Sequence, residues 1–406
     1  MSNRRIGVWL VGALGSIATT VILGALSFRK GTKETTGMIT ETGSFKELGL
    51  VSLDRLEFGG CDLRKGRLRD AARHVVRETG ALSSEFLEEI DEDLMAIERD
   101  IQMGTVRNCG EAIRKLSVST LFDEGSIRQE VAAICGQFRS FKERKSLDEL
   151  VVVNLASTEP PLPIQEVHHD LGAFEAALDR NDLDVVRAST IYAYAAVQEG
   201  CPYINFTPSN GALIPAVVEM AERNGVPVMG NDGKTGETLV KSALAPMFLC
   251  RNLQVLSWEG FNILGNMDGC VLDHPENRES KIKSKDQVLS KILGYTPHSR
   301  VHIHYVPSLD DQKTAWDYIH FKGFLGTKMS LQFVWQGYDS LLAAPLVLDL
   351  VRLAELAKRR GESGLMPHLA SYFKAPMGVE EYRLNEQFEM LLNYARKAGG
   401  GDDRVA

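Results

Sequence analysis

The sequence predicts an α/β protein in which a Rossmann-like domain carries an inserted α+β domain built on a mostly antiparallel sheet. Apolar, strand-like runs alternate with helical patterns as far as Arg251, which is typical of a parallel sheet with helices on both faces. The first of these runs leads into a glycine-rich turn and a helix. After Arg251, longer stretches alternate apolar and polar residues, which indicates an antiparallel sheet with one covered face.

The composition limits the class of protein. A chain of 406 residues is long for a single core, so we expect two domains. The net charge of −8, from 46 basic and 54 acidic residues, argues against a nucleic acid as partner. Six widely separated cysteines without a CxxC pair predict reduced thiols in the cytoplasm, and the nine histidines show no spacing that predicts a metal site.

Residues 6–28 contain no charged side chain, and two structures compete for them. A run of this length could span a bilayer, which needs roughly 20 apolar residues. The run also changes character midway, because a β-branched stretch ends at Gly12 and a helical pattern follows Gly15. Ser16 is expected to cap that helix, and Gly31 is placed to end it. The local sequence favours a strand, a turn and a helix over an anchor.

The elements up to residue 251 follow in order. The stretch ending in FGGCDL predicts a strand and then a tight turn at Gly59-Gly60. Helical spacing predicts helices over 67–79, 84–102 and 126–141, and an apolar run predicts a buried strand over 150–155. Helices and strands then alternate in the segments ASTIYAYAAVQEG, YINFTP, ALIPAVVEMAERNG, VPVMGND and TGETLVKSALAPMFLCRN.

The second half predicts a sheet and then helices. The strand-like segments are LQVLSWEGFNILG, VHIHYVPS, AWDYIHFKGFLG and KMSLQFVWQG, followed by three helices to about Ala398. We predict an α/β domain over 1–240, an inserted sheet domain over 241–336, C-terminal helices over 337–398 that return to the first domain, and a disordered tail over 399–406.

The glycine turn is the first candidate site. In Gly12-Ala-Leu-Gly15-Ser-Ile-Ala18, glycines allow a pyrophosphate to approach the backbone, and the helix N-terminus favours its charge. Leu14 stands where the usual spacing has its second glycine. The alternative is a tight strand–helix turn that binds nothing.

Anion-binding residues form the second set of candidates. In GNDGKTGETLVKS, Thr235, Gly236 and Thr238 follow a strand and can offer hydroxyl and backbone N–H groups to a phosphate. Lys281 and Lys285 share one helix face, where their repulsion could be offset by an anion. The alternatives are a helix cap and a solvated basic face.

Ten segments in one order resemble the myo-inositol-1-phosphate synthases (inositol-3-phosphate synthases). The similarity runs from Ile6 to Met377. The segments are GALGSIATT, FGGCDL, LASTE, STIYAYAA with EGCPYINFTPSN, GNDGKTGETLVKSALAPMF, NILGNMDG, ESKIKSK, HYVPSLDDQKTAWDY, YDSLLAAPLVLDLV and SYFKAPM.

The resemblance implies an enzyme and its cofactor. Such an enzyme uses NAD to convert D-glucose 6-phosphate into 1D-myo-inositol 3-phosphate, by oxidation at carbon 5, enolisation, aldol closure and re-reduction. It also implies a cytoplasmic homotetramer that binds neither nucleic acid nor a membrane. On this resemblance, residues 1–240, which include the uncharged run 6–28, form the NAD-binding domain, and 241–336 form the catalytic and oligomerisation domain.

The resemblance also implies roles for individual residues. Lys281 would handle the proton and the oxyanion, and Lys374 the oxygen that exchanges hydride. Lys285 and Lys313 would bind the phosphate together with Thr235, Gly236 and Thr238, and Asp232 and Asp339 would complete the catalytic set. The cofactor-binding positions implied are Gly12, Gly15, Ser16, Ile17, Asp62, Ser157, Thr158, Asn210, Asp232, Asn266 and Asp268.

Four departures from the family pattern keep other functions open. Leu14 replaces a glycine, Asn231 an acid that many members carry, Glu237 the usual glutamine, and FTPSN the commoner SPQN. A carboxylate at Glu237 is expected to weaken phosphate binding or to raise the pKa of a neighbouring lysine. The alternatives are an enzyme acting on another sugar phosphate, a dehydrogenase that releases NADH, and a non-catalytic NAD or sugar-phosphate sensor.

Overall fold

The computed structural model describes residues 4–32, 34–117, 125–272 and 288–400, apart from the side chain of Asp268. The strands are β1 (Ile6–Val11), β2 (Leu56–Asp62), β3 (Ile101–Met103), β4 (Glu149–Asn154), β5 (Tyr203–Asn205), β6 (Pro227–Gly230), β7 (Gln254–Leu264), β8 (His298–Tyr305), β9 (Gln312–Lys322), β10 (Lys328–Tyr338) and β11 (Gly364–Leu365).

The helices alternate with the strands in the first part of the chain and flank the second sheet. They are α1 (Ser16–Arg29), α2 (Leu68–Thr79), α3 (Ser84–Glu89), α4 (Asp91–Glu98), α5 (Glu111–Arg114), α6 (Ile127–Lys145), α7 (Leu171–Asp179), α8 (Ala188–Gln198), α9 (Pro215–Arg223), α10 (Glu237–Cys250), α11 (Met267–Leu272), α12 (288–293), α13 (Asp339–Arg359) and α14 (Leu384–Ala398).

The first sheet has seven parallel strands in the order β11-β6-β5-β4-β1-β2-β3. Its two faces are buried in separate cores, because Val8 and Leu10 of β1 pack in one cluster and Trp9 and Val11 in the other. The strand order reverses at β1, between β2 and β4, and ligands of open α/β sheets bind at such a point. The predicted Rossmann-like fold is confirmed.

The membrane-anchor alternative for residues 6–28 is wrong. All six residues of β1 are buried at the centre of the sheet, and nine residues of α1 are buried. Among the described residues, no helix has the length and apolar character to cross a membrane. Ser16 is the first residue of α1 and not its cap: Gly15 holds the N-cap position, without a side chain to bond the first turn.

Two predictions in the first domain need correction. Gly59 and Gly60 lie inside β2 and not in a turn. Glycine is needed at position 60 because a side chain there would come within 2.2 Å of the Leu10 carbonyl oxygen of the neighbouring strand. The helix predicted over 84–102 is two short helices, α3 and α4, followed by β3. The apolar residues of that stretch fit both a helix and a short edge strand, so spacing alone could not divide it.

The second sheet has the order β10-β9-β7-β8, and it is mixed. The pairs β10–β9 and β9–β7 are antiparallel, as predicted, but β7 and β8 are parallel. The connection from β7 to β8 is long enough to bring the chain back to the same end of the sheet, which a parallel pair requires. The buried face packs with Ala245 and Phe248 of α10 and with α12.

The C-terminal region returns to the first sheet through β11, which pairs with β6. The domain boundaries at 240, 336 and 398 stay predictions, and most of the predicted disordered tail lies outside the described residues.

Candidate active site

A cavity of about 520 Å³ lies at the carboxyl ends of the first sheet's central strands. The turn after β1, the end of β2 and the segments after β4 and β6 form one wall. Residues 265–267 after β7 and the segment before β9 reach it from the second sheet. A cavity of this size suits a cofactor-sized ligand, since such sites occupy roughly 300–1,000 Å³.

The turn after β1 has the geometry of a pyrophosphate cradle. Gly12 has φ +86°, and a side chain there would lie 3.1 Å from the Ala156 backbone, so glycine is required. With glycine as its N-cap, α1 directs its first N–H groups at the cavity without a competing side chain. The Leu14 side chain packs against the core near Gly66, which explains how leucine is accommodated in this turn.

Asp62 ends β2 beside this turn. Its carboxylate accepts a hydrogen bond from the Leu14 backbone N–H at 2.8 Å and pairs with Arg64 Nε at 3.2 Å. An acidic residue at this place in a dinucleotide-binding fold bonds the ribose of NAD. The cradle and the carboxylate together fit the dinucleotide that the sequence predicts.

Lys374 and Asp232 form a buried ion pair in the cavity wall. Lys374 Nζ lies 2.8 Å from Asp232 Oδ1, and both residues line the cavity. Their backbones are joined as well, since the Lys374 N–H donates to the Asp232 carbonyl at 2.7 Å. Asp232 has φ +63°, which turns the chain sharply after β6 and brings its carboxylate to the lysine. The ammonium is thereby fixed from two directions.

A second lysine–carboxylate pair stands at the N-terminus of α10. Lys313 Nζ lies 3.3 Å from Asp339 Oδ2, and the Thr235 hydroxyl donates to Asp339 Oδ1 at 3.4 Å. Gly236 is the N-cap of α10, and a side chain on it would lie 3.9 Å from Lys313 Nζ. A lysine, a hydroxyl and a helix N-terminus thus converge, as phosphate binding requires.

The structure therefore brings most of the predicted residues together. Asn210 does not line the cavity, because its amide holds both the N–H and the carbonyl of Leu162, each at 2.8 Å. Lys281 and Lys285 lie outside the described residues, as does the side chain of Asp268. The predicted residues that line the cavity are Gly12, Gly15, Ser16, Ile17, Asp62, Ser157, Thr158, Asp232, Thr235, Asn266, Asp339 and Lys374.

Two cavity carboxylates were missed by the sequence reasoning. Burial raises the pKa of Glu159 to about 7, and this side chain bonds the Ser189 backbone N–H at 2.9 Å. Burial likewise raises the pKa of Asp311 to about 6, and it accepts a hydrogen bond from the Ser340 hydroxyl at 2.5 Å. Both lie in segments that carry the family resemblance, so the motifs located them without indicating their burial.

A further lysine, Lys234, lies buried behind Lys374. Its Nζ donates to Gln387 Oε1 of α14. Burial, and secondly the charge of Lys374, lowers the pKa of Lys234 to about 7.

A family model of an NAD-binding domain, described as Myo-inositol-1-phosphate synthase, matches residues 6–396. The chain belongs to the myo-inositol-1-phosphate synthase family. The match spans both sheets and the cavity between them, and this family supports NAD as the cofactor.

Relatives and solved structures agree with the family. Inositol-3-phosphate synthase 1 of Bacteroides thetaiotaomicron is 34% identical over 402 residues, which cover 94% of this chain and 92% of the relative. Inositol-3-phosphate synthase of Spirodela polyrhiza is 30% identical, covering 98% of this chain and 86% of the relative. The crystal structure of inositol-3-phosphate synthase from Caenorhabditis elegans has the same fold, with a TM-score of 0.88 at 24% identity over 99% of this chain and 87% of that one.

Proposed function

We propose that this protein is an inositol-3-phosphate synthase, which cyclises D-glucose 6-phosphate to 1D-myo-inositol 3-phosphate with NAD. One observation carries the proposal: the Lys374–Asp232 pair and the Gly12 turn line the same cavity. A charged donor thus lies in the same cavity as the dinucleotide cradle. Family membership and the names of the relatives support the same reaction.

The assigned roles follow from where charge develops. Bound NAD supplies hydride transfer at carbon 5, with no net redox change over the cycle. Lys374 binds the oxygen at carbon 5, and Asp232 holds its ammonium in place. A preorganised cation in a buried position stabilises the negative charge on that oxygen. Lys281 is assigned to the proton at carbon 6 on the resemblance alone.

The phosphate end of the substrate is assigned to the α10 N-terminus. Lys313, Thr235 and Gly236 converge there, and Asp339 orients the lysine and the threonine. Fixing the phosphate lowers the entropy cost of bringing carbon 1 and carbon 6 together for ring closure. Thr238 and Lys285 complete this set in the proposal.

The decisive experiment follows product and cofactor in one tube. Purified protein is incubated with glucose 6-phosphate and catalytic NAD, while phosphorus and proton NMR detect product and absorbance detects NADH. We expect inositol phosphate and no lasting NADH. Accumulating NADH would instead identify a sugar-phosphate dehydrogenase, and tight binding without product would identify a sensor.

We further propose that the protein is a homotetramer assembled through its second sheet. Val334, Trp316, Phe261 and His302 form a row across all four strands, since each is register partner of the next. We name the surface formed by these four side chains the open face. Val334 is 62% exposed and Trp316 39%, although both are large apolar residues. The flat apolar row and the unpaired edge of β10 suit a second copy of the chain.

A reducing compartment, the cytoplasm, is proposed on the cysteines. Cys61, Cys109, Cys135, Cys201, Cys250 and Cys270 are all free thiols in the fold. Burial raises the pKa of the Cys201 thiol far above its ordinary value and that of Cys61 to about 12, so these two thiols are unreactive core residues.

A further inference from the structure

Glu237 does not face the cavity as a free carboxylate. It is the first residue of α10 and is 2% exposed. Lys241, one helical turn later, places Nζ 2.6 Å from Glu237 Oε1, and Asn262 of β7 donates Nδ2–H to Oε2 at 2.5 Å. Both oxygens are therefore bonded to partners on the side of the second sheet. The negative charge of Glu237, which the sequence places next to the predicted phosphate-binding residues, is therefore paired with the positive charge of Lys241.

This ion pair is attached to the proposed phosphate-binding turn. Glu237 stands between Gly236 and Thr238 in the chain, and Gly236 lies beside Lys313. The Thr238 side chain is 1% exposed, and its hydroxyl has no hydrogen-bond partner within the described ranges. A buried hydroxyl without a partner is unfavourable, and a hydrogen bond to a ligand oxygen would remove that cost.

A second buried carboxylate lies against the same pair. Asp317 of β9 is fully buried and accepts a hydrogen bond from Trp258 Nε1 at 2.6 Å. A side chain on Gly260 would lie 2.4 Å from Glu237 Oε1 and 3.2 Å from Asp317 Oδ1, so the two carboxylates flank that glycine. Lys241 Nζ also lies 5.9 Å from the Trp258 ring centroid, over its face. The lysine is thus the cation of a buried cluster that also contains two acids.

We propose that Glu237 sets the phosphate affinity of the site by neutralising Lys241, so that the two residues act as one uncharged unit beside the phosphate. This inference rests on the proposed function, because it assumes that the anion is the substrate phosphate. Charges buried at low dielectric act on a nearby phosphate with little screening. Removing either partner alone therefore changes the local charge by one, in opposite directions.

The test is a double-mutant cycle on Glu237 and Lys241, measured in NAD-saturated protein at low ionic strength. The Kd of inorganic phosphate is measured by titration calorimetry, and the KM of glucose 6-phosphate by product formation. Glu237→Gln, which leaves Lys241 unneutralised, is expected to lower both constants about fivefold. Lys241→Met is expected to raise them about fivefold or more. The double variant returns both to within about twofold of wild type, and Lys241→Arg, which keeps the charge, stays near wild type.

A purely structural pair would behave differently. Both single variants would then weaken phosphate binding, because each loosens the same turn, and this result would overturn the inference. Glu237→Gln decides the matter even if Lys241→Met fails to fold, since weaker or unchanged phosphate binding in Glu237→Gln contradicts neutralisation. The proposed function is judged separately, by whether wild type forms inositol phosphate at all.

Discussion

Each described lysine of the proposed site is held by a carboxylate. Asp232 holds Lys374 and Asp339 holds Lys313, at 2.8 and 3.3 Å. A lysine side chain is long and flexible, so a fixed counter-charge is what turns it into a preorganised donor. A carboxylate also offsets the cost of placing the ammonium in a partly buried wall. The acids are thus positioning residues in the proposed mechanism.

The first prediction concerns Lys374. Lys374→Met is expected to lower kcat by about 10²–10³, because removing one preorganised donor to a developing oxyanion has that effect. NAD affinity, measured by fluorescence titration, should change little, since the glycine turn is untouched. Asp232→Asn serves as the matched control and should lose less activity, because the ammonium remains. Full turnover in Lys374→Met would remove this residue from the mechanism.

A second prediction uses the pH dependence of stability at Lys234. Its pKa is lowered to about 7 in the fold, chiefly by burial, from an ordinary value near 10.5. Between pH 7 and pH 10.5, Lys234 is therefore protonated in the unfolded chain and neutral in the folded one. The stability contributed by the neutral lysine is present above pH 10.5 and is lost as the pH falls to 7.

Urea unfolding of wild type and Lys234→Met at several pH values measures this effect. The free energy of unfolding of wild type relative to the variant should fall by on the order of a few kcal/mol between pH 10 and pH 7. Lys65→Met, which removes an exposed lysine, is the control and should run parallel to wild type. Parallel curves for Lys234→Met would contradict the prediction.

At the scale of single elements, the sequence predicted a strand or helix correctly where the pattern within that segment alone determines it. The change of period after Gly12 predicted β1 and α1, and the TGETLVKSALAPMFLCRN segment predicted α10. Three features escaped because they depend on distant neighbours. The strand β7 pairs in parallel with β8, which follows much later in the chain. Gly60 lies against Leu10 of the neighbouring strand. The orientation of the Glu237 side chain depends on its hydrogen bond with Asn262.

The turn between β1 and α1 gives the third prediction. Gly12→Ala is expected to raise the Kd of NAD at least tenfold, because φ +86° is strained for alanine and the new methyl group would meet the Ala156 backbone at 3.1 Å. Gly136→Ala is the matched control: Gly136 lies in α6 with open space around it. That variant should bind NAD normally and gain about 0.5–1 kcal/mol of stability. Unchanged NAD affinity in Gly12→Ala would show that the cofactor does not use this turn.

At the scale of the whole molecule, the cavity is built from residues far apart in the chain. Lys374 reaches Asp232 across 142 positions, and Thr235 reaches Asp339 across 104. Spacing within a segment cannot predict such contacts, and the order of the family motifs was what indicated that these segments meet. The roles of Lys281 and Lys285 stay predictions from that order alone.

The fourth prediction tests the open face as an interface between copies. Wild type is expected to run as four 44.9 kDa chains in light scattering coupled to size-exclusion chromatography. Val334→Glu places a charge at the β10 end of the row, beside Trp316, and burying it unpaired would cost several kcal/mol. We expect it to yield smaller species with intact secondary structure.

Met95→Glu is the control, because it also replaces an exposed apolar side chain by a charged one, but away from the second sheet. Met95 lies on α4 of the first domain and is 38% exposed, so a new charge there should leave the assembly intact. A tetramer that persists in Val334→Glu would show that assembly uses another surface, such as the edge of β10. The cavity is bounded by residues of both sheets. Packing between copies would hold the second sheet against the first, so dissociation in Val334→Glu should also change the KM of glucose 6-phosphate.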